Sequence, residues 1–154
     1  MSDLNNQIIK LSIIIPCYNR GEKISKNIEE LINKFPYLSF DVILTDDSDV
    51  EESSLKLSNL SKKYYLKVKY INNPKRLGYA QNLLKSIKLS SGNYVMILMD
   101  DDEIILNNFH NIFKVIDSKN DYAIISSADS NQKLFNKSKL SELQIIDSIG
   151  ECKH

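Results

Sequence analysis

Three short segments, rich in apolar residues and each followed by a polar cluster, constrain the fold of this chain most strongly. They are Leu11–Pro16, Phe40–Thr45 and Tyr94–Met99. A short apolar run of this kind is typical of a strand buried on both faces, as in a parallel sheet. Segments with helical spacing of apolar residues lie between them. The alternation predicts an α/β fold, with a mostly parallel open sheet and flanking helices.

The remaining predicted elements continue this alternation. Helices are expected from residue 24 to 35, from Glu51 to Leu60, over Tyr79–Leu89 and over Ile104–Ile116; further strands are expected at Leu66–Ile71 and Tyr122–Ser127. In the third helix, the residues expected to face inward are Ala80, Leu83, Leu84 and Ile87. Beyond Ala128 the chain becomes polar, with a weak helical pattern around Leu140–Ile149.

Length, charge and cysteine content exclude several classes of protein. The 154 residues are enough for one domain with a single core. Twenty basic residues balance twenty acidic ones, which argues against a nucleic-acid partner. No apolar run is long enough for a transmembrane segment, and residues 1–10 lack the pattern of a signal peptide. Cys17 and Cys152 lie far apart, without metal-ligand spacing, so a cytoplasmic location is expected.

The polar clusters that follow the strands are the candidate functional residues. They are Tyr18–Arg20, Asp46–Ser48 and Asp100–Glu103. The carboxyl ends of parallel strands meet at one edge of a sheet, where open α/β folds bind their ligands. If the chain stays extended after the fourth strand, Asp100 and Asp102 point to the same side and favour a divalent cation such as Mg²⁺ or Mn²⁺. The alternative is a solvated acidic turn that precedes the next helix.

These motifs resemble, in order and spacing, those of the inverting family 2 glycosyltransferases of GT-A fold. The resemblance rests on Leu11–Arg20, on Asp46–Ser48, on Asn73, Gly78 and Asn82, and on Tyr94–Glu103. It covers residues 11–127, the expected nucleotide-sugar-binding α/β domain. Residues 1–10 are then an N-terminal extension. Residues 128–154 are a polar tail or the start of an acceptor-binding region, so the chain is expected to be truncated before the acceptor half.

The resemblance also implies roles for individual residues. Pro16 and Tyr18 would form the wall of the base site, with the ring of Tyr18 stacked on the base. Asp46 would accept a hydrogen bond from the base, with Asp47 as its nearest rival. The Asp100-Asp101-Asp102 motif would meet ribose and metal, with Asp102 as the main metal ligand and Asp100 as ribose or metal ligand. The candidates for contact with phosphate oxygens are Arg20 and Arg76.

The implied reaction is inverting sugar transfer from a nucleotide-diphosphate sugar, first of all a UDP-sugar, with dTDP and GDP as alternatives. The acceptor would be a glycan or a lipid-linked sugar of bacterial surface polysaccharide, reached from the cytoplasm or the inner membrane face. Such a transfer needs a general base, and no residue of 128–154 matches the family's acidic motif. The base is therefore absent, or is supplied by a longer chain, an oligomer or a partner subunit. The alternative is a non-catalytic or truncated nucleotide-sugar-binding module.

Two other α/β classes are excluded by the position of their motifs. A receiver domain needs an acidic pair after the first strand, where this chain has Tyr18–Arg20. A dinucleotide-binding Rossmann domain needs a GxGxxG motif after that strand, and the first strand of this chain is not followed by one.

Overall fold

A computed structural model describes residues 9–118 and two further strands at residues 124–126 and 133–136. The elements in chain order are β1 (Leu11–Cys17), α1 (Gly21–Lys34), β2 (Phe40–Asp46), α2 (Glu51–Lys63), β3 (Val68–Asn72), α3 (Tyr79–Leu89), β4 (Tyr94–Ile97), α4 (Leu106–Ile116), β5 (Ile124–Ser126) and β6 (Lys133–Asn136). The weak helix predicted around Leu140–Ile149 lies outside the described residues, and so does Cys152, for which no metal-ligand role is predicted.

The described strands form one sheet in the order β3-β2-β1-β4-β6-β5. β1 pairs in parallel with β2 on one side and with β4 on the other, and β2 pairs in parallel with β3. The strand order therefore reverses at β1, which makes the carboxyl ends of β1 and β4 the switch point where α/β sheets bind ligands. These findings confirm the predicted α/β class with a mostly parallel sheet.

The strand at Lys133–Asn136 was not predicted, because the sequence beyond Ala128 is polar. β6 is inserted between β4 and β5 and is antiparallel to both. Its four residues mix polar and apolar types, so they lack the continuous apolar run that marked β1. This strand lies beyond residue 127, where the predicted domain boundary was placed.

Helices cover both faces of the sheet, and the strand residues divide between two apolar clusters. Ile14 and Ile43 pack with Leu83 and Ile87 of α3 on one face. The strand residues next to them, Leu11, Ile13 and Ile15 among them, pack with the apolar sides of α1, α2 and α4 on the other face. Burial on both faces explains why β1 is apolar at almost every position.

The amino ends of α1 and α2 lie in direct contact at Gly21. A Cβ atom at this position would lie 2.1 Å from the main-chain oxygen of Ser53, a distance that no side chain allows. The main-chain N–H of Gly21 also donates to the hydroxyl of Ser53 at 2.9 Å. Glycine at this position therefore lets the segment after β1 approach the segment after β2.

One detail of α3 differs from the prediction. Ala80, expected to face inward, is exposed, whereas Asn82 and Ser86 are buried. The reason is a polar contact with β2: the Nδ2 of Asn82 donates to the main-chain oxygen of Thr45 at 2.9 Å. The side of α3 that faces the sheet thus includes polar residues, and apolar spacing alone does not identify it.

Candidate active site

A cavity of about 570 Å³ opens at the carboxyl ends of β1 and β4. Its wall comes from four separate segments of the chain. The lining residues are Pro16, Cys17, Tyr18, Asn19, Arg20, Asp47, Arg76, Gly78, Tyr79, Asn82, Met99 and Asp100. The structure therefore brings together Pro16, Tyr18, Arg20, Asp47, Arg76 and Asp100 of the predicted site. Three other predicted residues, Asp46, Asp101 and Asp102, do not line this cavity.

Asp100 joins the end of β4 to the segment after β1. Its Oδ2 accepts a hydrogen bond from the main-chain N–H of Tyr18 at 2.9 Å, and its Oδ1 lies 3.8 Å from the Nε of Arg20. Burial raises the pKa of this carboxyl above its usual value, and the Tyr18 N–H and the Arg20 charge oppose that shift. A half-buried carboxylate in a cavity is stabilised by any cation that binds there.

The acidic segment after β4 is a turn and not an extension of the strand, so the predicted side-chain alternation is wrong. The main-chain N–H of Asp102 donates to the main-chain oxygen of Met99 at 3.1 Å. In return, the Oδ2 of Asp102 accepts from the N–H of Met99 at 3.2 Å. The turn forms because this carboxylate satisfies a main-chain donor that the end of the strand leaves unpaired.

Helix α1 supports the same turn from the side. The Nζ of Lys23 donates to the main-chain oxygen of Asp101 at 2.5 Å, and the Nδ2 of Asn27 donates to that of Asp102 at 3.3 Å. The side chain of Asp101 is exposed. The two side chains of α1 therefore fix the main chain between Asp100 and Asp102.

Tyr18 has polar contacts at its hydroxyl and a cation over its ring. The hydroxyl donates to the Oδ2 of Asp49 at 3.0 Å and accepts from the Nη1 of Arg76 at 3.1 Å. The guanidinium carbon of Arg76 lies 4.1 Å from the centre of the ring. Hydrogen bonds from Asn19 and Tyr18 hold the pKa of the Asp49 carboxyl below its usual value.

Asn19 adopts a left-handed backbone conformation, with φ of 55°. Its Oδ1 accepts from the main-chain N–H groups of Asp49 and Val50, both at 3.1 Å. Asparagine tolerates this conformation better than most residues do. The turn after β1 is thereby fastened to the turn before α2, and Tyr18 is fixed next to Asp49.

The two candidate aspartates after β2 have different environments. Asp46 is buried, and its carboxylate accepts from the N–H of Ser48 and from the hydroxyls of Ser54 and Tyr70, at 2.9, 2.6 and 2.8 Å. Asp46 was expected to be the aspartate that meets the base, but the structure places it inside this network. Asp47, the rival candidate, is the aspartate of the pair that lines the cavity.

Asp47 holds the segment between β3 and α3. Its carboxylate accepts from the main-chain N–H of Leu77 at 3.1 Å and from that of Gly78 at 2.8 Å. It also accepts from the Nδ2 of Asn73 at 2.6 Å. Gly78 has φ of +79°, and a Cβ there would meet nothing within 4 Å, so glycine serves the turn and not a close approach.

Several lining residues carried no distinct signal in the sequence. Tyr79 and Asn82 reach the cavity because α3 begins beside it, and Met99 reaches it because β4 ends there. Asn82 belongs to the motif that carries the family resemblance, but its burial and its contact with Asn73 at 2.9 Å depend on long-range pairing. Cys17 also lines the cavity; burial raises the pKa of its thiol well above the usual value, which opposes a nucleophilic role.

The sequence model for glycosyl transferase family 2 matches residues 12–151. The chain belongs to this family. The family 2 chain is 33% identical over 96 residues to the amylovoran biosynthesis glycosyltransferase AmsB of Erwinia amylovora, in an alignment that covers 62% of this chain and 32% of AmsB. Alignments with the first curated relatives cover only 26–32% of the length of those relatives.

Solved structures confirm the GT-A fold of this family 2 chain. A mannosyltransferase of Pyrobaculum calidifontis, solved with GDP-Man and Mn²⁺, matches with a TM-score of 0.70 at 14% identity, over 86% of this chain and 46% of that one. TarS of S. aureus, solved with UDP-GlcNAc, matches with a TM-score of 0.59 at 22% identity, over 70% and 31% of the respective chains. Such low identities establish a common fold.

The family 2 chain offers few ligands for a metal. Among the residues that the structure describes, no group of three His, Cys, Asp or Glu side chains could hold an ion. Asp100 and Asp102 remain as carboxylates on one turn. Mg²⁺ sites next to phosphates commonly use one or two carboxylates and complete their shell with water and substrate. Asp100 and Asp102 supply two such carboxylates, and burial, which raises the pKa of Asp100, disfavours its charged form in the absence of a cation.

None of the helices within residues 9–118 combines the length and apolar character needed to cross a bilayer.

Proposed function

We propose that this chain is the donor-binding part of an inverting glycosyltransferase, and that it binds a nucleotide-diphosphate sugar with Mn²⁺ or Mg²⁺. The observation that carries the proposal is the cavity at the β1–β4 switch point, with Tyr18, two arginines and the half-buried Asp100 in one wall. An aromatic ring suits a base, guanidinium groups suit phosphate, and a destabilised carboxylate suits a cation.

The residues divide into two groups along the cavity. Pro16, Tyr18 and Asp47 are proposed to meet the nucleoside, because they lie at the ends of β1 and β2. Asp46 is assigned to support this site through its contacts with Ser48 and Tyr70, and no direct contact with the base is assigned to it.

Arg20 and Arg76 are proposed to meet the diphosphate, and Asp100 and Asp102 are proposed as ligands of the metal. A divalent cation supplies charge neutralisation for the diphosphate leaving group. Arg20 lies beside Asp100 and already balances part of its charge. The side chain of Asp101 is exposed, so we propose no ligand contact for it; only its main-chain oxygen takes part, by accepting a hydrogen bond from Lys23.

Catalysis needs more than this cavity. An inverting transfer requires a base to remove the proton of the acceptor hydroxyl. We assign no described residue to that role. The acceptor, proposed to be a glycan or lipid-linked sugar, and the base are expected from the part of the enzyme that corresponds to the remaining length of its relatives, or from a partner subunit.

A non-catalytic or truncated nucleotide-sugar-binding module is the second candidate, and the observation that favours it is the lack, among the described residues of the cavity, of a group that we can assign as general base. Polysaccharide synthesis is proposed because AmsB is a glycosyltransferase of amylovoran biosynthesis. UDP is the first donor nucleotide proposed, because TarS was solved with a UDP-sugar; GDP and dTDP are the alternatives.

The test is calorimetric titration of the purified chain with UDP, dTDP and GDP, each with and without Mn²⁺. Metal-dependent binding of one nucleotide supports the proposal and identifies the donor class. If all three nucleotides fail to bind with metal present, while circular dichroism shows a folded chain, the donor-binding proposal is wrong. Turnover of the matching nucleotide sugar then separates a transferase from a module that only binds.

A further inference from the structure

The side chain of Arg76 lies over one face of the Tyr18 ring. Its guanidinium carbon lies 4.1 Å from the centre of the Tyr18 ring, and its Nη1 donates to the Tyr18 hydroxyl at 3.1 Å. Both residues line the cavity. One face of the aromatic ring is therefore occupied by a cation of the same chain.

The position of Arg76 follows from the main chain around it. Asp47 accepts hydrogen bonds from the main-chain N–H groups of Leu77 and Gly78, the two residues that follow Arg76. On the other side, Asp49 fixes the Tyr18 hydroxyl and adds a negative charge near the guanidinium. The contact thus joins two anchored segments, although Arg76 itself is exposed.

We propose that a base stacks on the face of Tyr18 that Arg76 covers, and that Arg76 thereby makes the site selective for nucleoside diphosphates over nucleosides, because the guanidinium must leave that face before the base can occupy it. The inference rests on the proposed function, which places the base on Tyr18. A nucleoside displaces the guanidinium and offers it no new partner. A diphosphate offers charged oxygens within the same cavity, to which a guanidinium binds strongly.

The selectivity follows from this difference between the two ligands. Displacing the contact weakens the binding of every ligand that stacks on Tyr18. Only a ligand that carries phosphate recovers the loss, since Arg76 then changes partner. Removing the arginine therefore has opposite effects on the affinities for the two ligands, a result that a purely structural role does not produce.

The test compares uridine, UMP and UDP at a fixed Mn²⁺ concentration, by ligand-observed NMR for the weak complexes and calorimetry for the strong ones. Arg76→Ala is expected to bind uridine about two- to fivefold more tightly, the size of an exposed cation–π contact. The same variant is expected to bind UDP about tenfold or more weakly. If the first titrations select another base, its nucleoside and nucleotides replace the uridine series.

Two further variants sharpen the comparison. Lys75→Ala removes a neighbouring exposed cation and is expected to leave the ratio of UDP to uridine affinity unchanged. Arg76→Lys keeps the charge without the planar group, and its affinities for both uridine and UDP are expected to lie between those of wild type and Arg76→Ala.

The outcomes separate this inference from the function on which it rests. If wild-type protein binds UDP with metal, and Arg76→Ala weakens uridine and UDP equally or leaves uridine unchanged, the selectivity proposal is wrong and donor binding stands. If wild-type protein binds none of the nucleotides, the donor-binding proposal fails and the selectivity proposal fails with it.

Discussion

The main-chain N–H of Tyr18 donates to the Oδ2 of Asp100 at 2.9 Å, across 82 residues of sequence. One hydrogen bond therefore joins the residue proposed for the base to the residue proposed for the metal. Asp100 has two functions in this arrangement. It fixes the end of β1, and it remains half-buried with a raised pKa in a cavity that holds two arginines.

Replacing Asp100 by asparagine is expected to preserve or raise stability and to abolish metal-dependent nucleotide binding. The amide oxygen still accepts from Tyr18, while the cost of burying a charge disappears. Because the pKa is raised in the folded state, the contribution of Asp100 to wild-type stability falls as pH rises from the ordinary aspartate value, 3.8, through the folded pKa. Asp100→Asn removes that decline. Urea unfolding between pH 3 and 7, with Asp101→Asn as the control, measures it; an unchanged slope contradicts the prediction.

Asp102→Asn tests the metal assignment separately from the fold. An amide oxygen at this position still accepts from the N–H of Met99, so the turn after β4 is expected to persist. Metal-dependent nucleotide affinity is expected to fall about tenfold or more, the size of a charge-assisted contact. Glu103→Gln removes a neighbouring exposed charge and is the matched control. Equal nucleotide affinity in wild type and Asp102→Asn, measured by calorimetry with Mn²⁺, would remove Asp102 from the site.

Tyr18→Ala is expected to weaken nucleotide binding by about 1–3 kcal/mol, the contribution of a base stacked on an aromatic ring. Tyr18→Phe keeps the ring and loses the hydroxyl contacts with Asp49 and Arg76, so it is expected to retain most of the affinity. The two variants therefore separate stacking from hydrogen bonding. Calorimetric affinities that are the same for alanine and phenylalanine contradict a stacking role.

Tyr70→Phe is expected to remove a contribution to folding stability that the wild-type chain loses only at strongly alkaline pH. Burial, together with the contact to Asp46, raises the pKa of Tyr70 to about 12. A raised folded pKa contributes stability that is present below the ordinary value of 10 and is lost as pH rises through about 12. Among the eight tyrosines, Tyr70 is therefore expected to supply a late step in the tyrosinate absorbance of the folded chain.

The control for this titration is Tyr65→Phe, which removes a side chain that is 73% exposed. The late step is expected to keep its amplitude in Tyr65→Phe and to lose the amplitude of one tyrosine in Tyr70→Phe, with circular dichroism confirming the fold at each pH. A late step of unchanged amplitude in Tyr70→Phe contradicts the assignment.

The parts of the structure that local patterns determine were predictable. The strands at β1, β2 and β4 are apolar because both faces are buried, and their ends carry the polar residues of the cavity. The first residue of β3 lies two residues later than predicted, since pairing with β2 decides where that strand begins. Helix α4 also begins two residues later than predicted. The family resemblance was confirmed from motifs that individually have little specificity.

The parts that depend on contacts between distant segments were not predictable. Asp46 and Asp47 are adjacent and chemically identical, and contacts with distant residues distinguish them. Ser54 of α2 donates to the buried Asp46, whereas Gly78, which follows β3, donates to Asp47 at the wall of the cavity. β6 has no continuous apolar run, because it is short and contains two polar residues. The turn at Asp100–Asp102 likewise depends on a main-chain donor that the sequence pattern does not reveal.

The reversal of strand order at β1 also affects how the protein assembles. β1 and β2 are close in the chain, whereas β4 follows some fifty residues after β2 and pairs with the opposite edge of β1. Long-range pairing of this kind costs more chain entropy than local pairing. The cavity lies across that junction, so any compound that occupies it binds only molecules in which β4 has docked. By mass action such a compound shifts the folding equilibrium toward the completed sheet.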